Sequence, residues 1–354
     1  MSEHTSVTEI LGFINAPAFS VSDGIIAHCN DDANRLLFAQ GISVTSLLTE
    51  NQSEYTSFES GCLFVTLNHN DQPYSATVMR VKGQQIFVLD EGQDRIELKT
   101  LSLTAANMRQ PISAMIAGTA SLAASLEQST DPKIRSQLQH MNRNLSRMHR
   151  MLCNMSDAIQ YADGISRHMV CQNVVSVVEN IFLQSQQLCS QSNIHLEYTV
   201  PSEAILCSID EVLLERCIYN MLSNAIKFSE GTVIHASLTH RDNRVYISVQ
   251  DQGSGIPDSI LSSVFSRYQR QPGLEDGRFG LGLGLVLVRC AARVHGGTVL
   301  VDQPGQTGTR ITVSFPVRQN ATPMVRSGTP RVDYAGDRDH GLLELSDVMP
   351  ADLY

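Results

Sequence analysis

The sequence lacks any long run of apolar residues, and its N-terminus lacks the basic and then apolar segments of a signal peptide. Its eight cysteines are scattered without CxxC spacing, so we expect buried, reduced thiols. Basic residues are fewer than acidic ones, 26 against 36, and the net charge of −10 disfavours a general role in nucleic-acid binding. We therefore expect a cytoplasmic protein with no membrane span and no nucleic-acid partner.

The 354 residues exceed one ordinary domain, and the first division is a region of short apolar runs over residues 8–92. The Asp23-Gly24 dipeptide separates two expected strands, and DDANRLLFAQG is typical of a short helix ending at Gly41. CLFVTLNHNDQPYSATVMRVKGQQIFVLDE supplies three more strands. This order of elements resembles a PAS sensor domain. An unrelated small α+β domain is the alternative.

Residues 94–163 change to helical periodicity. Asp131 is a suitable N-cap for the second of two expected helices. Its apolar residues alternate steps of four and three, at Ile134, Leu138, Met141, Leu145, Met148, Leu152, Met155 and Ile159. The first helix repeats apolar residues every seven positions, at Leu101, Met108, Met115 and Leu122. Such seams predict a helical hairpin that dimerises into a four-helix bundle, because one hairpin alone cannot bury both.

Residues 168–317 alternate strand and helix patterns and predict an α/β domain. The first chemical motif in it is EVLLERCIYNMLSNAIKFS, whose apolar residues recur at helical spacing. Asn220, Asn224 and Lys227 stand three or four residues apart and so share another face of the helix. Amide oxygens suit Mg²⁺ and an ammonium suits phosphate, so this face could bind a metal–phosphate group. An ordinary hydrated helix face is the alternative.

The second motif, VYISVQDQGSGIP, is a strand that leads into Asp251, Gly253 and Gly255. A carboxylate at a strand end can accept a hydrogen bond from an exocyclic amine such as that of adenine. Glycines beside it let the backbone approach a planar ligand closely. A simple glycine-rich turn is the alternative.

The third motif, GRFGLGLGLVLVRC, places Gly280, Gly282 and Gly284 just before an apolar helix. Exposed amides and a helix N-terminus at this point could hold phosphate. The preceding polar run QRQPGLEDGR has the character of a lid, with an ordinary surface loop as the alternative.

In this order, and with Phe265, Arg267 and Tyr268 just before the polar run, these motifs resemble the N, G1, F and G2 boxes of the ATP-binding domain of sensor histidine kinases, a GHKL-type fold. The resemblance covers about residues 96–317 and implies ATP and Mg²⁺ as cofactors. It makes Asn224 the Mg²⁺ ligand with Asn220 beside it, and it brings Lys227 to phosphate and Asp251 to the adenine amine. Gly253 and Gly255 would shape the base pocket. The glycines that would form the lid hinge and phosphate cradle are Gly280, Gly282 and Gly284.

The expected fold is therefore a multidomain α+β protein. It comprises a PAS-like sensor domain at 8–92, a dimerisation hairpin at 94–163 and an α/β sandwich ATP-binding domain of the GHKL type at 168–317. Residues 318–354 lose periodicity and gain proline, glycine and aspartate, which predicts a mostly disordered tail in which LLELSDVM could form a short helix.

In the family the first hairpin helix carries His-Glu-Leu-Arg-Thr-Pro-Leu, whose histidine accepts the γ-phosphoryl group of ATP. Here Arg109 and Pro111 keep that register, but Ala106 stands at the histidine position and Asn107 at the acidic position. A methyl group offers no lone pair for attack on phosphorus. The resemblance therefore implies a dimeric, ATP-binding protein of two-component phosphorelays that lacks the usual autophosphorylation. It would act as a regulatory pseudokinase on a separate response regulator or partner histidine kinase.

Two enzymatic alternatives stay open. Gln110, one turn beyond Ala106, could orient water for dephosphorylation of a response regulator. Alternatively, the chain is an active kinase that uses His140, His149 or a histidine supplied by a partner. Because both histidines lie off the apolar seam, we expect them to be solvated surface residues.

Overall fold

The computed structural model describes most of the chain, and every structural statement below refers to the residues it describes. These are 7–12, 14, 16–48, 51–81, 83–89, 94–126, 132–160, 168–229, 233–255, 283–305, 307–319 and 340–354. None of the helices in these ranges combines the length and the apolarity that a membrane span requires.

The N-terminal module is an antiparallel sheet with short helices. Its strands are β1 (Ala18–Ser22), β2 (Ile25–Cys29), β3 (Cys62–His69), β4 (Gln72–Val81) and β5 (Gln84–Leu89). Its helices are α1 (Val7–Gly12), α2 (Asp31–Arg35), α3 (Val44–Leu47) and α4 (Gln52–Thr56). The strand order is β2-β1-β5-β4-β3, and the five expected strands are confirmed.

Helix α2 is shorter than the sequence pattern predicts. Asn30 caps it by accepting from the Ala33 amide, but the helix ends at Arg35 and not at Gly41. Leu37 adopts a left-handed φ of 66°, which stops the helix. The turn sends Phe38 into the core, where its ring stacks on Phe19 at 5.2 Å. The helix is therefore shorter than predicted because the chain turns at Leu37 to bury the Phe38 ring.

The central hairpin consists of α5 (Asp94–Leu126) and α6 (Pro132–Gln160), as predicted, and Pro111 lies inside α5. The expected cap Asp131 and the loop lie outside the described residues. Ala105, Ile112 and Leu152 form a small buried core between the two helices. Much of the apolar seam faces outwards in the single chain, at 42–52% exposure, through Met108, Met115, Leu122, Met141 and Met148.

The two hairpin histidines differ from each other. His140 is exposed, as expected, but His149 is almost fully buried, so its assignment to the surface is wrong. The His149 ring approaches the Cys153 thiol at 3.7 Å. The prediction failed because α6 packs on two sides, against α5 and against the C-terminal half of the chain.

The C-terminal half contains a five-stranded sheet covered by helices. The strands in this half are β6 (Val170–Asn173), β7 (His195–Thr199), β8 (Leu206–Ile209), β9 (Val233–Arg241), β10 (Arg244–Gln250), β11 (Thr298–Asp302) and β12 (Arg310–Pro316). The strand order in the sheet is β11-β12-β10-β9-β7, and β6 and β8 form a separate antiparallel pair. The helices are α7 (Val174–Ser190), α8 (Glu211–Phe228) and α9 (Gly284–Val294). Their apolar faces and the sheet form one large core.

The sheets of the two halves are continuous. Strand β11 pairs antiparallel with β3, with Phe64 opposite Val299, so that ten strands form one sheet. Beside this junction Glu54 of the N-terminal module ion-pairs with Arg244 and accepts a hydrogen bond from Ser314 at 2.7 Å. Main-chain and side-chain contacts therefore join the two halves directly.

Residues 340–354 overturn the expectation of a mostly disordered tail for the part of 318–354 that the structure describes. They form α10 (His340–Glu344) and a turn at Ala351–Leu353, packed against α6, α7 and α8. Leu345 and Met349 are fully buried in the core of the C-terminal half. The prediction of disorder was based on composition. It failed because the apolar residues of LLELSDVM, although few, pack against α6, α7 and α8.

Candidate nucleotide site

The first end of the site is built around Asp251, at the end of β10. The side chain is 5% exposed, and its Oδ1 accepts from the backbone amides of Gly253 at 2.8 Å and Thr309 at 3.0 Å. Burial raises the pKa of Asp251, and these two hydrogen bonds oppose the rise. Within the part of the chain that the structure describes, no group hydrogen-bonds Oδ2. That oxygen can therefore accept from a ligand amine.

Two glycines let the chain approach Asp251 closely. A Cβ at Gly253 would collide with the carbonyl oxygen of Phe228, at the end of α8. Gly308 has a φ of 90°, and a Cβ there would collide with the carbonyl of Asp251. Gly255 lies next to the Gln303 side chain. Of these, the sequence analysis assigned a role in the base pocket only to Gly253 and Gly255.

The second end of the site is the polar face of α8 together with the start of α9. A Cβ at Gly284 would lie 3.2 Å from Asn220 Oδ1 and 3.7 Å from Asn224 Nδ2, so the N-terminus of α9 adjoins both amides. Lys227 lies one turn further along α8. The fold thus brings the first and third motifs together. Gly280, Gly282 and the polar run before them lie outside the described residues.

This second end can bind an anion and a metal by the chemistry of its groups. Backbone N–H groups at a helix N-terminus favour phosphate oxygens, and amide oxygens are hard ligands suited to Mg²⁺. Asn224 is half-buried, and no described residue hydrogen-bonds its amide. Because these groups face one another, the residues present fit a magnesium–phosphate group. Asp251 would then lie at the other end of the same ligand.

The sequence did not reveal that other side chains already engage this second end. Arg150 of α6 donates to Asn220 Oδ1 at 3.2 Å and to Ser223 Oγ at 3.2 Å. Asp347 accepts from Lys227 at 3.0 Å, so a carboxylate already lies at the predicted phosphate contact. The only signal in the sequence was a pair of acidic residues, Glu344 and Asp347, among the apolar residues of LLELSDVM.

The ionisation of this cluster follows from its burial and its charges. Burial lowers the pKa of Lys227, against the opposing charge of Asp347. Burial alone would raise the pKa of Asp347, but Arg150, Lys227 and Arg147 outweigh it and hold that pKa below its ordinary value. The Asp347 carboxylate is therefore ionised at neutral pH.

The predicted phosphoacceptor region lies on α5. Ala106 falls inside this helix, and Arg109 donates to Ser156 of α6 at 3.0 Å. Gln110, the candidate for orienting water, is exposed. The sequence of α5 contains no histidine.

Residues 209–319 match the family model described as histidine kinase-, DNA gyrase B-, and HSP90-like ATPase. The matched range includes Asn220, Asn224, Lys227 and Asp251. Residues 209–319 thus belong to an ATP-binding domain of the histidine kinase type.

Curated relatives extend this likeness beyond that domain. The adaptive-response sensory kinase SasA of Crocosphaera subtropica is 32% identical over 252 residues, covering 66% of this chain and 64% of that protein. SasA of Gloeothece citriformis is 27% identical over 263 residues, covering 70% and 66%. The chain thus spans somewhat less than two thirds of the length of these relatives. Among solved structures, full-length ShkA in complex with AMPPNP matches with a TM-score of 0.49 and 20% identity, covering 64% of this chain and 47% of that one.

Proposed function

The chain belongs to the sensor histidine kinase family, and on that premise we propose that it is a regulatory pseudokinase of two-component signalling. It binds ATP with Mg²⁺ but lacks the usual autophosphorylation. The observation that carries the proposal is Ala106, on a helix that contains no histidine. A phosphoryl acceptor needs a lone pair, and neither Ala106 nor any other residue of α5 supplies an imidazole.

The nucleotide would lie between the two ends of the candidate site. Asp251 accepts from the adenine amine, while Lys227 contacts phosphate and Asn220 lies beside the Mg²⁺ ligand. Asn224 provides the amide oxygen for Mg²⁺, which would neutralise phosphate charge. The adjacency of Asn220, Asn224 and Gly284 supports this assignment. Gly280 and Gly282 would complete the phosphate cradle and hinge the lid.

The protein acts as a homodimer in this proposal. The exposed apolar seam on α5 and α6 supports it, because Met108, Met115 and Leu122 would be buried by a second hairpin. A PAS-like sensor function for residues 8–92 is supported by the antiparallel order β2-β1-β5-β4-β3. The output partner is a separate response regulator or partner histidine kinase. Eight free cysteines support a cytoplasmic location.

The test measures nucleotide binding and phosphorylation in the same sample. The purified full-length chain is incubated with Mg²⁺ and γ-labelled ATP, and bound nucleotide and acid-labile label are quantified together. We expect saturable binding without label. Acid-labile label on the chain would contradict the proposal. The double variant Ala106→His with Asn107→Glu provides the positive control, because it restores both groups at the acceptor position.

His149 is a poor substitute acceptor because it is almost fully buried beside Cys153. Gln110 is a better candidate for a second function, because its amide is exposed one turn beyond Ala106 and could orient water against a phospho-aspartate. In that case Gln110→Ala would abolish dephosphorylation of a cognate response regulator, whereas Gln139→Ala on α6 would not. Equal rates for the two variants would exclude this function.

A further inference from the structure

Three cationic side chains from two helices converge on one carboxylate of the C-terminal segment. Asp347 accepts from Arg147 Nε at 3.2 Å, from Arg150 Nη1 at 2.8 Å and from Lys227 Nζ at 3.0 Å. Arg147 and Arg150 belong to α6, whereas Lys227 belongs to α8. This site therefore binds an anion, and the anion that occupies it belongs to the chain itself.

The segment 340–354 has further anchors around Asp347. Glu344 is fully buried, 3.4 Å from Arg150 Nε and 3.7 Å from Arg216 Nε. Leu345 and Met349 enter the core of the C-terminal half. Burying a carboxylate without a cation beside it is very costly. Because Glu344 is buried and Asp347 half-buried, each next to arginines, the segment docks at this specific position.

The docked segment uses the groups that a nucleotide would need. Lys227 points its ammonium at Asp347, and Arg150, which Asp347 also holds, donates to Asn220 Oδ1. The Asn220 amide nitrogen donates to the carbonyl of Arg216 at 2.8 Å. Both polar atoms of the Asn220 side chain are therefore satisfied in this conformation. By contrast, no comparable side chain approaches Asp251 Oδ2 among the described residues.

We propose that residues 340–354 are an intramolecular competitor of the nucleotide, with the Asp347 carboxylate in the place of a phosphate group. This inference rests on the proposed nucleotide site. ATP binding exchanges one anion for another at Lys227: the triphosphate enters, and Asp347 leaves. Because Arg147 and Arg150 of α6 are held by the same carboxylate as Lys227 of α8, its departure also removes one of the links between α6 and α8. Nucleotide occupancy is thereby converted into a change at the hairpin.

The test compares Mg²⁺-ATP affinity in the full-length chain and its variants by calorimetry. Asp347→Asn keeps the shape of the side chain but removes its charge, and we expect it to tighten Mg²⁺-ATP binding about tenfold or more, since the competing state is weakened. Arg147→Gln removes only one partner of Asp347 and leaves Asn220 and Lys227 intact, so it should tighten binding by a smaller factor. Asp352→Asn is the matched control, because that side chain is exposed and α6 contacts only its backbone carbonyl.

Hydrogen exchange supplies a second measurement on the same proteins. We expect Mg²⁺-ATP to raise deuterium uptake across residues 340–354 in the unsubstituted chain, and Asp347→Asn to raise it without nucleotide. Unchanged affinity in Asp347→Asn, or unchanged uptake with nucleotide bound, would overturn the competition and leave the proposed function standing. If neither the unsubstituted chain nor Asp347→Asn bound Mg²⁺-ATP, both proposals would fail together.

Discussion

The two ends of the candidate nucleotide site differ in the contacts that hold their polar groups. At the base end, backbone amides fix Asp251 Oδ1 from one side. At the phosphate end, side chains from a distant helix and from the C-terminal segment engage Asn220 and Lys227. Backbone contacts made within a strand end and its neighbouring turn are set by the domain itself. Side-chain contacts from elsewhere can be exchanged, so the proposed regulation would act at the phosphate end.

The largest expected effect comes from breaking the phosphate end at Arg150. The variant Arg150→Met keeps much of the volume but leaves Glu344 and Asp347 buried with fewer cations. Removing one partner of a buried ion pair typically costs about 3–5 kcal/mol, so we expect a loss of that order in the free energy of unfolding. Denaturant unfolding measures it. Arg135→Met, at an exposed position of α6, is the control. A loss no greater than that of the control would show that the cluster is not structural.

The next effect comes from breaking the base end at Asp251. In Asp251→Asn the amide oxygen can still accept from Gly253, but the amide nitrogen would then face the adenine amine, donor against donor. We expect Mg²⁺-ATP affinity to fall about 100-fold, a magnitude typical of a lost hydrogen bond to a charged group. Calorimetry checks it, with Asp242→Asn as control, since Asp242 is an exposed turn residue. Equal affinities would remove Asp251 from the site.

A smaller effect is expected from Gly308→Ala, because the backbone of Gly308 packs directly against that of Asp251 at the base end. Alanine at a φ of 90° is strained, and its Cβ would press on the carbonyl of Asp251. We expect about tenfold weaker nucleotide binding and about 1–2 kcal/mol of lost stability. Gly305→Ala is the matched control, because a Cβ there meets only the Thr307 carbonyl, at 3.8 Å. If both variants bound nucleotide equally, the close approach at Gly308 would be irrelevant to the ligand.

The smallest expected effect is a pH dependence of nucleotide affinity, which distinguishes Asp251 at the base end from Asp347 at the phosphate end. The pKa of Asp251 is raised, so as the pH falls its carboxylate becomes protonated at a higher pH than an ordinary aspartate, whose pKa is about 4. Protonation of Asp251 would weaken adenine binding. The pKa of Asp347 is lowered, so its ion pairs persist at neutral pH and are lost only as the pH falls through that lower value. We expect affinity to fall a few-fold as the pH is lowered from 7 through the raised pKa of Asp251 in the unsubstituted chain. The same decline in Asp251→Asn would assign the titration to another group.

The sequence predicted those parts of the site whose residues are close together along the chain. Asn220, Asn224 and Lys227 share one face of a single helix, and Asp251 follows directly on a strand, so periodicity alone places them. The contacts of Arg150 and Asp347 could not be predicted in this way, because each depends on the packing of elements far apart in sequence. The prediction that His149 is a surface residue failed for the same reason. The apolar seam indicates only one packing face of α6, whereas the helix has two.

The pairing of β3 with β11 bears on how the chain is made. During synthesis β3 emerges early, whereas β11 follows only after most of the chain is complete, so the apolar strand CLFVTLNH waits with an unpaired edge. The β11 strand of a second nascent chain can pair with this β3 edge through the same hydrogen bonds as the β11 strand of the same chain. Dilute refolding therefore favours closure within one molecule, because the tether raises the local concentration of the correct strand. Crowded refolding favours molecules that exchange their N-terminal modules.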